Sequence, residues 1–450
     1  MLGHGVHEED FPMLIHNFLV NVHSKNPILN PSTLKHLARG MATEGLGWNE
    51  ESCLVSIACG LASLAEPFEF QPVRDRSETS ASNARDYGTA ELYYAAARKR
   101  IGMVSTSLLA IQCTYLMGVY EMYTLRPLKA WLSFTQACNM FSAHNLTTST
   151  SSSSPPLHDA ETQTRRRLEQ MLYWTCVKSE CEAREELDLP ASSLGTTDFP
   201  DYFPSPPGGT PVPEGGGDDG SLLQSSASVL DTLSQQSWFF YLSEIAGRRL
   251  ANRIRNALYY GEPRDWLAMS IKRIRRVAEE LDSQVTKWSE HVPFSLQFDG
   301  EEEVPDEFTW VMRVRLLQLR ERLCRPFLFI LIHRYNGGRG AGAAVNDDYE
   351  QEDVVTAFAH KCLLCAVIAI RYLVNKHRHL GSWHSMRQIF TLSLVILAAA
   401  ESGRVQLPRD WRTSIDSAIN ALTYWAVESP DLEVARDALK KITDEVGARY

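Results

Sequence analysis

Apolar side chains recur along this chain at intervals of three and four residues, which is the spacing of an amphipathic helix with one buried face. The stripes start at Ala90, Leu109, Leu128, Leu267, Phe308 and Val355, and further helices are predicted at about 384–402, 410–427 and 432–446. Strand-like alternation of apolar and polar residues is nearly absent. The pattern therefore predicts an all-α fold, an irregular array of antiparallel helices in two layers with long polar loops.

Prolines and polar stretches set the expected boundaries of these helices. Pro127 is expected at the first position of a helix, where its missing N–H costs nothing, whereas Pro190 and Pro326 are expected to end helices. Loops are expected at about 71–85, 147–160, 200–228, 299–306 and 336–352. We accordingly divide the chain into an N-terminal helical part (1–200), a Pro/Gly-rich loop (201–228) and a C-terminal helical part (229–450).

Composition narrows the class of protein. The 450 residues are 44% hydrophobic, enough for a substantial core, and the nine scattered cysteines are typical of reduced thiols in an intracellular protein. The longest apolar run, Ile389 to Ala400, falls short of the roughly 20 residues of a membrane-spanning helix. A net charge of −10 disfavours direct binding of nucleic acid. We therefore expect neither a membrane span nor a DNA-binding residue.

Two patterns could indicate a metal. Cys362 and Cys365 have the spacing of zinc ligands, but both fall on an apolar stripe and are expected to be core residues. The acidic residues Asp347, Asp348, Glu350 and Glu352 resemble the magnesium-binding motif of all-helical terpene synthases, although acids after a glycine-rich stretch more often cap the next helix. We predict no catalytic residue, no metal ligand and no cofactor in this chain, with an all-helical enzyme of secondary metabolism as an alternative.

Two runs of basic residues could act as nuclear import signals or could have a purely structural role. Lys272, Arg273, Arg275 and Arg276 alternate with Ile271 and Ile274, which predicts charges on the exposed face of a helix. The arginines at 165–167 are expected to pair with acids from a neighbouring element, because a guanidinium binds a carboxylate through two hydrogen bonds.

Several stretches, taken in order, resemble the regulatory middle homology region of fungal zinc binuclear cluster transcription factors. The first surrounds Trp131, and the second is Arg165 to Glu186, which leads into Pro190 and a proline-marked loop. The third combines Leu281 to Trp288, Arg325-Pro326-Phe327 and Trp383 to Ala400. The residues that carry the structural motif are Trp131, Arg166, Arg167, Trp174, Glu180 and Pro190.

The resemblance implies a nuclear protein, shuttling with the cytoplasm, that controls RNA polymerase II transcription through contacts with transcriptional co-regulators. It also implies a homodimer or a heterodimer with a related regulator and, in some members, a small-molecule effector. The six-cysteine zinc cluster of the family is missing, since the chain has a single Cys-x-x-Cys. Zinc and DNA binding are therefore expected in an upstream segment or in a partner. The alternative is a helical co-regulator or scaffold that works without DNA.

Overall fold

The computed structural model describes residues 6–74, 78–80, 87–103, 107–151, 160–194, 204, 222–297, 304–333 and 345–448. Within these ranges the chain forms 15 α-helices, and the one β-type pairing there is an isolated bridge between Pro72 and Asn375. The predicted all-α class is confirmed. The arrangement of the helices in two layers stays a prediction.

The helices take up most of the described chain. Their bounds are α1 Phe11–Asn21, α2 Pro31–Glu44, α3 Glu50–Leu64, α4 Tyr87–Arg100, α5 Leu108–Tyr123, α6 Pro127–Ser151, α7 Ala160–Leu187, α8 Leu222–Leu258, α9 Asp265–Ala268, α10 Ile271–His291, α11 Glu307–His333, α12 Val345–Leu373, α13 Ser382–Ser402, α14 Trp411–Ala426 and α15 Pro430–Gly447. Short 3-10 helices lie at Glu8–Asp10, His23–Lys25, Ile101–Met103 and Phe294–Leu296.

The chain divides into two compact units that exchange short segments. Unit 1 contains residues 1–68, 84–242 and 378–383, and unit 2 contains residues 69–83, 243–377 and 384–450. Most of the stretch 201–228 lies outside the described residues, so the division of the chain there stays a prediction. Helix α8 nevertheless begins inside it, at Leu222.

Helix α5 forms the centre of unit 1. Every residue from Ala110 to Tyr123 is buried, and α5 packs against α3, α6 and α7. Contact with α6 is especially close at Gly118, where an added Cβ would lie 2.5 Å from a ring carbon of Phe134. Glycine is required at this position because any larger side chain would displace that ring.

Gly118→Ala should therefore destabilise the protein, by about 1–3 kcal/mol from overpacking, even though alanine is the better helix former. Gly40→Ala in α2 is the matched control. A Cβ at Gly40 meets nothing within 4 Å, so this change should stabilise the protein by up to about 1 kcal/mol. Urea unfolding measures both effects. Equal effects of the two substitutions would contradict the close contact at Phe134.

In unit 2, helix α11 packs against α12, and its length corrects a prediction. The expectation that Pro326 ends the helix is wrong, because α11 continues to His333 with Pro326 inside it. Proline lacks the N–H that would bond to the carbonyl of Arg322 one turn earlier. That carbonyl instead accepts a hydrogen bond from the Tyr259 hydroxyl at 2.5 Å. The helix therefore passes through Pro326 without leaving the Arg322 carbonyl unsatisfied.

Removal of the Tyr259 hydroxyl should destabilise the protein. Tyr259→Phe is expected to lower the free energy of unfolding by about 1–3 kcal/mol, because it leaves a carbonyl of α11 without its partner. Tyr260→Phe is the matched control, since the neighbouring Tyr260 is 94% exposed and should change stability by less than about 0.5 kcal/mol. Chemical denaturation of both variants gives the comparison. Identical midpoints would show that Tyr259 does not compensate for Pro326.

Other predicted helices are confirmed with small shifts in their ends. The α10 stripe is buried at Ile274, Ala278, Leu281, Val285 and Trp288, and Pro127 begins α6. The inward face of α6 was assigned wrongly at Leu128, which is 57% exposed, because Ala130, Phe134 and Ala137 form that face. The loops expected at 147–160 and 336–352 are shorter than predicted, because α6 extends to Ser151 and α12 starts at Val345.

Helices α12 and α13 carry the long apolar runs. The predicted core run is confirmed, since Ile389, Ile396 and Ala400 of α13 are at most 1% exposed. Residues 352–373 of α12 are long and apolar enough to cross a membrane, and half of the residues in that window are buried. Core helices of soluble proteins have the same length and composition, so this property is weak evidence for a membrane span.

Candidate functional site

The helix that carries most of the family-like motif, α7, is buried on all sides over residues 170–181. Four of the five buried polar residues in this stretch form what we call the α7 polar row: Thr175, Lys178, Ser179 and Glu180. Polar groups removed from water must find partners inside the protein. Each member of the row bonds to a different part of unit 1.

Two tyrosines connect the row to other helices. Tyr241 of α8 donates to the carbonyl oxygen of Met171 at 2.5 Å, and its oxygen lies 2.7 Å from the Thr175 hydroxyl. Tyr115 of α5 lies 3.2 Å from the Ser179 hydroxyl. Burial raises the pKa of both tyrosines. They therefore remain neutral hydroxyl groups and hold α5 and α8 against α7.

Lys178 connects the row to the segment between α1 and α2. Its Nζ donates to Oδ1 of Asn26 at 3.1 Å and lies 5.9 Å from the centre of the Tyr241 ring. An ammonium over an aromatic face is attracted by the ring electrons, and more strongly when it is away from water. Lys178 is only 7% exposed. Its ammonium group is therefore held by protein partners rather than by solvent.

Glu180 is the acid of the row, and it has no exposed surface. Its Oε1 accepts a hydrogen bond from the backbone N–H of Ser192 at 2.6 Å, while Oε2 has no hydrogen bond from any described residue. The chain reaches this point through a turn after α7, in which Asp188 has a positive φ of 51° and Leu189 N–H bonds to the carbonyl of Arg184. Glu180 thus fixes the segment that follows the helix.

The role of Glu180 can be tested by exchange of the Ser192 amide hydrogen. In Glu180→Ala the Ser192 amide loses its acceptor. A hydrogen bond to a carboxylate is worth about 1.5–3 kcal/mol, so exchange of this amide hydrogen should be about tenfold faster or more. In Glu180→Gln the side chain keeps an oxygen at the same position and protection should persist. Hydrogen exchange with fragment mass spectrometry resolves the difference. Unchanged exchange in the alanine variant would exclude this role.

The other motif residues lie at different depths. Trp174 is 2% exposed and makes an edge contact with Tyr173, with ring centres 5.6 Å apart. Trp131 on α6 is half-buried, and its indole Nε1 is buried without a hydrogen-bond partner in the described part of the chain. Pro190 is exposed beyond the end of α7. The motif therefore combines core residues with surface residues and does not converge on one pocket.

The arginines at the start of α7 differ from the sequence prediction. Arg165 pairs with Glu169 of its own helix at 3.2 Å, so the expected acid from a neighbouring element is wrong for this residue. Arg166 is exposed. Arg167 is half-buried, and burial lowers the pKa of its guanidinium. These residues are spread around the start of the helix.

The two cysteines with zinc-ligand spacing are buried core residues. Cys362 donates to Oε1 of Glu321 at 3.6 Å, and burial raises the pKa of the Cys365 thiol to about 11, which favours the protonated thiol over the thiolate that zinc binds. Among the described residues no group of three or more His, Cys, Asp or Glu side chains could hold a metal ion. Asp347, Asp348 and Glu350 lie on the first turns of α12, and their side chains are outside the described part.

The basic run on α10 lies as predicted. Ile274 is 1% exposed, whereas Lys272, Arg273 and Arg276 are exposed, and Arg275 pairs with Glu279 at 2.7 Å. This pattern is that of a solvated helix face.

A second polar cluster in unit 1 was missed by the sequence analysis. Glu121 of α5 is 2% exposed and accepts hydrogen bonds from the Tyr94 hydroxyl at 2.6 Å and the Ser133 hydroxyl at 2.7 Å. Burial and the hydrogen bond to Glu121 raise the pKa of Tyr94. The sequence signal for this cluster was Glu121 itself, which is the single charged residue in α5.

Comparisons of this chain with models of protein families, with curated proteins and with solved structures find no match.

Proposed function

We propose that this chain is a regulatory domain that controls RNA polymerase II transcription in the nucleus through contacts with other proteins. Its partners are transcriptional co-regulators and a second regulator of the same kind, with which it forms a homodimer or heterodimer. DNA binding belongs to a separate zinc-cluster module, in another segment or in a partner, and the proposal requires no reaction catalysed by this chain.

The observation that carries the proposal is the packing of the two motif-bearing helices. Trp131 lies on α6 and the Arg166–Glu180 stretch lies on α7, and these helices are neighbours in unit 1. Residues that resemble one family region thus belong to one packed structure. The net charge of −10 gives further support, because it favours protein contacts over direct contact with phosphate.

A fusion experiment tests the proposal. Residues 1–450 are joined to an unrelated DNA-binding module and expressed with one reporter suited to activation and another suited to repression. The fusion should change transcription from one of them by at least several-fold relative to the module alone. Absence of any change in both reporters, with the fusion present in the nucleus at normal level, would refute the regulatory function.

The paired variants of Glu180 serve as internal controls for the reporter. Glu180→Gln keeps the contact to Ser192 and should retain the effect, whereas Glu180→Ala releases that segment and should weaken the effect at equal protein level. An effect that is identical in both variants would show that regulation does not depend on the ordered end of α7. Immunoblotting of the fusions establishes equal expression.

A further inference from the structure

Unit 2 carries a concentration of positive charge where three of its helices meet. Residues 248–276 contain nine Lys or Arg and only two Asp or Glu, within a chain whose net charge is −10. This stretch runs from the second half of α8 through α9 into the first turns of α10. It is therefore a basic region in a chain that is otherwise strongly acidic.

The fold brings the two longer helices of this region side by side. Arg253 of α8 donates to Oε1 of Gln284 on α10 at 3.0 Å, and the Trp288 indole of α10 donates to the Ser243 carbonyl at 3.1 Å. These two contacts show that α8 and α10 run antiparallel. The basic residues near the end of α8 and those at the start of α10 are therefore joined through α9.

Helix α9 fixes the connection between them. Trp266 is 5% exposed, and its indole donates to the Leu258 carbonyl at the end of α8, at 2.5 Å. The residues of this connection outside the Trp266 contact include Tyr260 and Arg264, which are both exposed. The Tyr260 side chain has 94% of its surface in solvent. An aromatic ring thus lies on the surface among the basic residues.

The exposed basic side chains of this region form what we call the basic surface. Of the nine basic residues, five are exposed, three are half-buried, and Arg248 is buried. The basic surface consists of Arg253, Arg264, Lys272, Arg273 and Arg276. These five cations are within reach of a partner in solution.

The charges on α10 are unfavourable where they lie. Lys272 and Arg273 belong to the first turn of α10, which has no acidic residue, and the N-terminal end of a helix carries partial positive charge that repels them. Lys272 and Arg276 lie one turn apart on the same side of the helix, where like charges destabilise it. An anionic partner bound at the basic surface removes this repulsion.

Acidic side chains limit the basic surface to a short patch. Glu279 pairs with Arg275 at 2.7 Å, and Glu280 is exposed beside it on α10. Within the connection, the Asp265 carboxylate accepts from the Glu262 N–H at 3.0 Å. A long polyanion with evenly spaced charges meets these acids, and the net charge of the chain repels it. A short segment with few carboxylates avoids both effects.

We propose that the basic surface is a docking site for a short acidic segment of another protein, with an apolar side chain of that segment against Tyr260. Arginine suits the acidic part because its guanidinium binds a carboxylate through two hydrogen bonds. Tyrosine suits the apolar part because aromatic side chains supply much of the contact area at protein interfaces. The basic surface rests on the proposed function in one respect, namely that the partner is a protein.

Binding of a synthetic peptide to the purified full chain tests this surface. The probe is a fluorescent peptide of glutamate pairs separated by single leucines, used at about 0.15 M salt. A peptide with glutamine in place of glutamate is its control. The acidic peptide should bind, with an affinity that falls as salt is added, and the glutamine peptide should not.

Two triple variants locate the site. The first carries Lys272→Gln, Arg273→Gln and Arg276→Gln. The second removes the same charge from exposed positions of unit 1, through Arg98→Gln, Lys99→Gln and Lys129→Gln. The first should raise the dissociation constant of the acidic peptide about tenfold, because three charge contacts are lost, and the second should leave it unchanged.

Stability measurements separate loss of binding from loss of structure. The triple variant of α10 should have an unchanged or higher denaturation midpoint, because its substitutions remove repulsion within the helix. Tyr260→Ala should weaken peptide binding several-fold without a change in the midpoint, because its side chain is exposed.

Several outcomes would overturn the proposal. They are no binding of the acidic peptide, equal binding of the glutamine peptide, and equal affinities of the two triple variants. Tighter binding of duplex DNA or of phosphatidylserine vesicles would also overturn it, and would assign the basic surface to nucleic acid or to a membrane. All these measurements use purified protein, so their failure is distinct from an absent reporter response.

Discussion

The complete burial of α5 is the constraint on which unit 1 depends. A helix surrounded by protein cannot bond its polar side chains to water, so most of these side chains bond to partners inside the protein. Gln112 donates to the carbonyl of Ile28 at 2.6 Å, Tyr115 contacts Ser179, and Glu121 accepts from Tyr94 and Ser133. These contacts connect α5 to the α1–α2 connection, α4, α6 and α7. Apolar packing brings the helices together, and these polar contacts select one arrangement of them.

Unit 2 satisfies two of its buried carboxylates in a different way, through arginine. Glu321 binds Arg325 through two hydrogen bonds of 2.8 Å, and Glu244 binds Arg315 through two of 3.2 and 3.1 Å. Arginine suits this task because its planar fork matches both oxygens of a carboxylate. The Glu321–Arg325 pair spans the turn that immediately precedes Pro326. Two interactions therefore support α11 where its own backbone bonding is interrupted.

The sequence predicts the helices well because each helix buries one continuous apolar face. That face is visible in the sequence as apolar residues at intervals of three and four. Sequence prediction fails where a residue far away in the chain compensates for a local defect. Pro326 does not end α11, because the Tyr259 hydroxyl satisfies the Arg322 carbonyl. Leu128 was misassigned because the period of a helix identifies a face only to within one position. The burial of Glu180 was not predicted either, since its partner is a backbone N–H twelve residues away. Residue type and spacing identify candidates, whereas the partners of a buried polar group depend on the tertiary fold.

The cysteines illustrate the same limit in chemical terms. All nine occur in apolar segments, and nothing in the spacing of Cys53 and Cys113 distinguishes them from Cys138 and Cys176. The fold directs the thiols of Cys53 and Cys113 to the carbonyl oxygens of Ala97 and Glu50, and it places Arg100 and Glu50 near Cys53 but Glu180 near Cys176. A positive environment favours the thiolate and a negative one opposes it. The chemistry available to a buried thiol is therefore determined by the charges that the fold assembles around it.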